Sequence, residues 1–101
     1  MVINEEVKAV IEGSGCLSLV TVGADGTPHP IVAGKGDVVG DTVVFGIYKM
    51  EITQKNLSVN DDAWVVAATM DNGPKGYRLI GTAKVRNTQL IFTPVKVEAL
   101  M

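Results

Sequence analysis

Cysteine is all but absent: Cys16 is the only one in 101 residues, which excludes an intrachain disulfide and any metal site built from several thiolates. Histidine is as scarce. His29 stands alone between Pro28 and Pro30 with no cysteine or carboxylate at metal-ligand spacing, and there it reads as a surface or packing residue. No apolar run approaches the ~20 residues needed to span a bilayer. The N-terminal segment carries Glu5 and Glu6 where a signal peptide would carry a basic region ahead of an apolar core. The expectation is a soluble, cytoplasmic protein with no membrane partner. Nine Lys and Arg against eleven Asp and Glu, a net charge of −2, lack the basic excess that nucleic-acid binding requires. Ser14 and Ser18 have no neighbouring base and no nucleophile-elbow context. Asp61-Asp62 reads as a helix stop, and no GxGxxG opens a helix after a strand, which excludes a Rossmann-type dinucleotide site.

What the chain has in abundance is apolar surface. Hydrophobic residues make up 47% of it, more than the core of so small a domain consumes, and a subunit interface is the usual place for the excess. One domain, residues 1–101, acting as a homodimer, is the expectation.

Ile3, Val7, Val10 and Ile11 recur at helical spacing, with Asn4 as N-cap and Gly13 as stop. This predicts a short helix lying across one end of a sheet. After it the pattern becomes that of strands: Cys16–Val22, Pro28–Lys35, Thr42–Tyr48, Ala63–Met70, Tyr77–Val85 and Gln89–Val97. Turns fall at Gly23–Gly26, Gly36-Asp37, Gly40-Asp41, Asp71–Gly76 and Asn87-Thr88. Glu51–Asn60 loses alternation and predicts a second short helix. The fold class is therefore mainly β: a six-stranded antiparallel barrel, closed or nearly so, with two short helices. The unbroken apolar run Ala63–Ala68 predicts burial on both faces and hence a covering layer, most simply a second subunit.

Lys49, Thr53 and Lys55 lie between the third strand and the helix after it. A helix N-terminus offers free N–H groups and a dipole that suits a phosphate; lysine adds charge and threonine a hydroxyl. The same lysines could equally be solvated helix-face charges, and spacing alone does not choose. Arg78 could add a forked contact if the fold brings it close. Gly34 and Gly36 flank Lys35, where backbone can approach a flat ligand or form a bulge. Trp64, Tyr48 and Tyr77 could stack on an aromatic ring, although core packing is the commoner use of such residues.

Three segments carry a resemblance. Leu19–Pro30 (LVTVGADGTPHP), the strand-to-helix stretch Tyr48-Lys49-Met50 with Thr53, Asn56-Leu57 and Asn60, and Gly76–Ala83 (GYRLIGTA) together resemble, in order, the FMN-binding split barrels of the pyridoxamine 5′-phosphate oxidase-like family, closest to its small FMN-binding proteins. The resemblance implies a split barrel holding FMN at the homodimer interface. Lys49 and Thr53, with Met50 beside them and Lys55 as helper, would bind the phosphate. Val32, Ala33, Gly34 and Lys35 would line the isoalloxazine edge, and Tyr77 and Arg78 would approach from the partner chain. Full oxidases of the family carry an Arg-rich C-terminal substrate segment, which the tail Val97–Met101 lacks, and the family's N-P after the helix is Asn60-Asp61 here. The expectation is thus a flavoprotein with a redox role, a small reductase or an electron carrier, and not a full pyridoxamine 5′-phosphate oxidase. The alternatives are a non-catalytic flavin-binding or sensing module, and a reductase using the deazaflavin F420. The catalytic residues and the redox partner stay open.

Overall fold

The computed structural model describes residues 2–71 and 73–100. Helix α1, Glu5–Gly13, is followed by strands β1 (Leu17–Val22), β2 (Pro28–Gly34), β3 (Asp37–Val39) and β4 (Thr42–Gly46). Helix α2 (Glu51–Val59) then leads into β5 (Asp62–Thr69), β6 (Lys75–Arg86) and β7 (Gln89–Ala99). All pairings are antiparallel, in the order β2-β1-β5-β6-β7-β4-β3. Seven strands replace the expected six. The extra one is β3, which the Gly36-Asp37 and Gly40-Asp41 turn signals concealed because only two residues, Val38 and Val39, separate them. Of the turn expected over residues 71–76, Asn72 lies outside the described residues, and β6 begins within it at Lys75.

The sheet is not closed by hydrogen bonds either. Its edges are β2 and β3, which are consecutive in sequence and joined through Lys35 and Gly36. Gly36 is why that link can turn over the core. A Cβ there would lie 2.8 Å from both Leu17 Cδ1 and Val43 Cγ1, so only a glycine lets the chain pass between β1 and β4. The curl is helped by the long β6–β7 hairpin, whose register shifts between Ile80 and Gly81. A Cβ on Gly81 would collide with the Thr93 carbonyl and lie 2.7 Å from Pro94 Cα. Pro94 has no N–H to give the ladder, which is consistent with a bulge at this point.

Leu17, Leu19, Val43, Phe45, Val65, Leu79, Leu90 and Phe92 fill the concave side and are wholly buried. The two helices close opposite ends of it. At one end α1 buries Val7, Val10 and Ile11, and its Asn4 caps it as expected, accepting from Val7 N–H at 2.9 Å. Ser14 anchors α1 to the sheet: its Oγ lies 2.7 Å from the Val10 carbonyl and 2.8 Å from that of Ala68, and accepts from Ala68 N–H. Asp41 holds the segment before the helix, accepting from Val2 N–H at 3.1 Å and Ile3 N–H at 2.8 Å. At the other end α2 buries Thr53 and Asn56, and Asn56 Nδ2 donates to the buried Thr21 Oγ1 at 3.1 Å.

The convex face is unusual for an exposed sheet surface. Pro30, Val20, Trp64 and Ile80 are cross-strand neighbours in one row, and Val32, Ser18, Val66, Arg78 and Glu98 form the next. Within the single chain Val20, Trp64, Val66 and Ile80 stay half-buried, and Val32 is 70% exposed. The expected two-faced burial of Ala63–Ala68 is thus met on one face alone. No described helix is long and apolar enough to cross a membrane.

Candidate functional site

The backbone between β4 and α2 is the most irregular part of the molecule. Lys49 and Met50 both take left-handed conformations, φ 63° and 56°, without the glycine or asparagine that makes this cheap; each costs on the order of 1–2 kcal/mol. Met50 is the N-cap of α2 and supplies no side-chain hydrogen bond. The helix's first N–H groups therefore lack the cap that α1 receives from Asn4. Ile47 N–H donates to the Thr88 carbonyl at 2.9 Å, which ties this junction to the tip of the β6–β7 hairpin. Gln54 braces it from within, its Nε2 donating to the Lys49 carbonyl at 2.9 Å.

Thr53, in the first turn of α2, is 1% exposed. Its Oγ1 is the one buried side-chain polar atom among the described residues with no hydrogen-bond partner. A buried orphan hydroxyl of this kind costs about 1–3 kcal/mol. Lys49 is exposed, with Nζ 5.8 Å from the ring centroid of Tyr48, which is itself 81% exposed. The donor set at this helix end is thus backbone N–H groups, one hydroxyl and one ammonium. It is chemistry for an oxyanion, and the phosphate of FMN fits it.

The other expected residues are placed differently. Lys55 is exposed, two residues beyond Thr53 and so roughly 200° round the helix from it. Met50 packs against the core. Val32, Ala33, Gly34 and Lys35 lie on edge strand β2 and in the link after it, near Leu17, whereas α2 meets β1 at Thr21. Four residues of strand, roughly 13 Å, separate the two groups. Tyr77 and Arg78 face opposite sides of β6, as consecutive strand residues must. Tyr77 packs on the core. Arg78 lies on the convex face, with Nε and Nη2 both donating to Glu98 Oε1 at 3.0 and 2.9 Å. That forked bond, helped by Lys96 at 3.5 Å, holds the Glu98 carboxyl below its ordinary pKa. His29 is half-buried on β2 opposite Thr21, and no group of His, Cys, Asp and Glu that could hold a metal exists among the described residues. Sequence reasoning missed the Asn56–Thr21 bond, whose partners only the fold brings together, and the Glu98 partner of Arg78, which follows once β6 and β7 are put in register.

The family model for pyridoxamine 5′-phosphate oxidase matches residues 3–100. The chain belongs to that family. Solved structures give the same fold at low identity. HupZ of Group A Streptococcus superimposes with a TM-score of 0.83 at 18% identity, covering 97% of this chain and 94% of that one. An FMN-binding protein from Syntrophomonas wolfei gives 0.80 at 16% identity, covering 96% and 85%. HutZ, the heme storage protein from Vibrio cholerae, gives 0.73 at 15%, covering 98% and 95%. No curated protein matches the sequence. Family membership thus stands on nearly the whole chain, whereas the neighbours, at these identities, establish shared architecture and leave the ligand to the site's own chemistry.

Proposed function

We propose that this chain binds FMN in a homodimer and serves a redox role, as a small flavin reductase or an electron carrier. The observation that carries the reading is the buried, unpartnered Thr53 Oγ1 in the first turn of a helix that has no side-chain cap. Lys49 and Thr53 hold the phosphate together with the α2 N–H groups. Lys55, on the other side of the helix, contributes long-range charge at most. Val32, Ala33, Gly34 and Lys35 line the ring edge. The apolar rows on the convex face meet a second copy of the chain, and Arg78, fixed by Glu98, is carried on that same face. Tyr77 contributes from behind the sheet by packing.

Bound FMN supplies hydride or single-electron transfer, and the protein supplies binding and tuning of the ring. Lys35 near the ring favours the anionic reduced form, and apolar neighbours oppose it.

The experiment is the visible spectrum of the purified protein, followed by denaturation and chromatography of the released chromophore. Flavin bands and stoichiometric FMN are expected. A colourless protein that does not take up added FMN overturns the reading, and so does release of FAD. F420, or the haem named for the Vibrio cholerae neighbour, would each show its own spectrum. Haem would need an axial ligand, for which His29 is the sole histidine.

A further inference from the structure

The outward face of the β6–β7 hairpin carries a second concentration of anion-binding groups. Thr82, Lys84 and Arg86 alternate along β6 and so share the convex face. Across the ladder Thr82 pairs with Thr93 and Lys84 with Ile91. Thr82, Lys84, Val85, Arg86, Ile91 and Thr93 line a cavity of about 520 Å³, within the size range of small-molecule sites. Lys84 and Val85 also border a neighbouring groove of about 340 Å³ between β6 and α2, where Gln54, Ser58 and Asp61 face them.

What sets these two cations apart is that they line one groove together with two threonines. Lys75 is paired with Glu6, and Arg78 and Lys96 with Glu98. Lys84 and Arg86, like Lys8, Lys35, Lys49 and Lys55, form no ion pair among the described residues, Asp61 included. Two unneutralised cations held two residues apart on one strand repel each other. Their platform is a tight turn, with Asn87 in the left-handed conformation that asparagine tolerates. Both side chains are exposed on the outward face, where water and salt screen that repulsion in part. An oxyanion between them removes it.

We propose that this cleft is a separate binding site for a small phosphate monoester. Arg86 offers a planar fork and Lys84 a point charge, while the hydroxyls of Thr82 and Thr93 supply further donors. Cations and hydroxyls together suit a dianion with three terminal oxygens better than a carboxylate with two. The inference does not depend on the flavin reading, because it uses none of the residues assigned to FMN.

The test is a titration of the full chain with inorganic phosphate, and separately with acetate, followed by amide chemical shifts. Phosphate should move the amides of residues 82–86 and 91–93 saturably and acetate should bind at least tenfold more weakly. The double variant Lys84→Gln/Arg86→Gln should lose tenfold or more in phosphate affinity. Lys8→Gln/Lys96→Gln, with the same change in net charge, should not. The ratio of FMN to riboflavin affinity should be unchanged in the first variant. The proposal is overturned by shifts that are absent or confined to residues 49–53, by equal acetate binding, or by equal losses in the two variants. Loss of the FMN preference in Lys84→Gln/Arg86→Gln also overturns it, since that would make the cleft the flavin's own phosphate site.

Discussion

Thr53→Val separates a residue that reads a ligand from one that supports the fold, because the two roles give opposite signs. The substitution preserves the branched shape and removes the hydroxyl. In the ligand-free protein that hydroxyl is buried and has no partner, so its loss removes a desolvation penalty. The expected gain in stability is about 1 kcal/mol, the low end of the cost of an unsatisfied buried group, or a rise in Tm of about 4–8 °C for a domain of this size. In the proposed complex the same hydroxyl would donate to a charged phosphate, a contact worth about 1.5–3 kcal/mol. FMN affinity should therefore fall about ten- to hundredfold. Riboflavin, which has no phosphate, should bind with affinity changed less than threefold. Thermal unfolding of the ligand-free protein and fluorescence titrations with both flavins give all three numbers. A destabilised variant with equal losses for FMN and riboflavin would show that Thr53 is a packing residue whose hydroxyl has a partner, and the reasoning would fail at its first step.

Lys49→Ala should weaken FMN by a similar factor and riboflavin little, in the same titrations; equal losses would remove Lys49 from the phosphate site. Gly81→Ala, whose Cβ would meet the Thr93 carbonyl and Pro94 Cα, should destabilise by roughly 1–3 kcal/mol in urea unfolding, and a loss below about 0.5 kcal/mol would mean the bulge is free to move. The wild-type chain should sediment as a dimer at micromolar concentration, and Val66→Asp, on the apolar convex face, should sediment as a folded monomer; a monomeric wild type would sink the interfacial site. Asp41 has its pKa lowered by the N–H groups of Ile3 and Val2, so its contribution is present above the unfolded carboxylate value and lost as pH falls through the lower folded one. Asp41→Ala should flatten the stability profile across that acid window, measured by urea unfolding at stepped pH, and an unchanged profile would refute the link.

Most of the architecture was legible because it rests on period and punctuation. The alternation in Leu17–Val22 and the cap at Asn4 are local signals, and local geometry honours them. The failures share one cause. Strand β3 is three residues long and begins inside the first of two closely spaced Gly-Asp pairs, so its existence depends on β4 lying alongside and not on its own composition. The open sheet likewise escaped, because closure is decided by which edges meet. The close packing at Gly36, beside Leu17 and Val43, lets the link between the two edges turn over the core while the edges stay unpaired. The site was legible in part for the same reason. A helix start after a strand can be read from residues 46–55, whereas the separation between Thr53 and Gly34 depends on where α2 lands along β1.

What no pattern could reveal is the local cost concentrated at the start of α2. The same chain caps α1 with Asn4 and satisfies it. At α2 it places Lys49 and Met50 where glycine would be cheap, supplies no cap, and buries a threonine hydroxyl with nothing to bond. Each departure is separately unfavourable, by roughly 1–3 kcal/mol for strained backbone and a similar amount for the orphan hydroxyl. A sequence under no other constraint loses such features readily, since a Gly at position 50 and a Val at 53 would relieve two of them. An anion at this helix end answers the uncapped N–H groups and the orphan hydroxyl together, and it gives the left-handed pair a purpose, because that bend leaves the first turn of α2 free of any side-chain cap. Two of the three costs thus have one remedy in common, and that coincidence makes the α2 N-terminus a stronger candidate than any single feature of it would be.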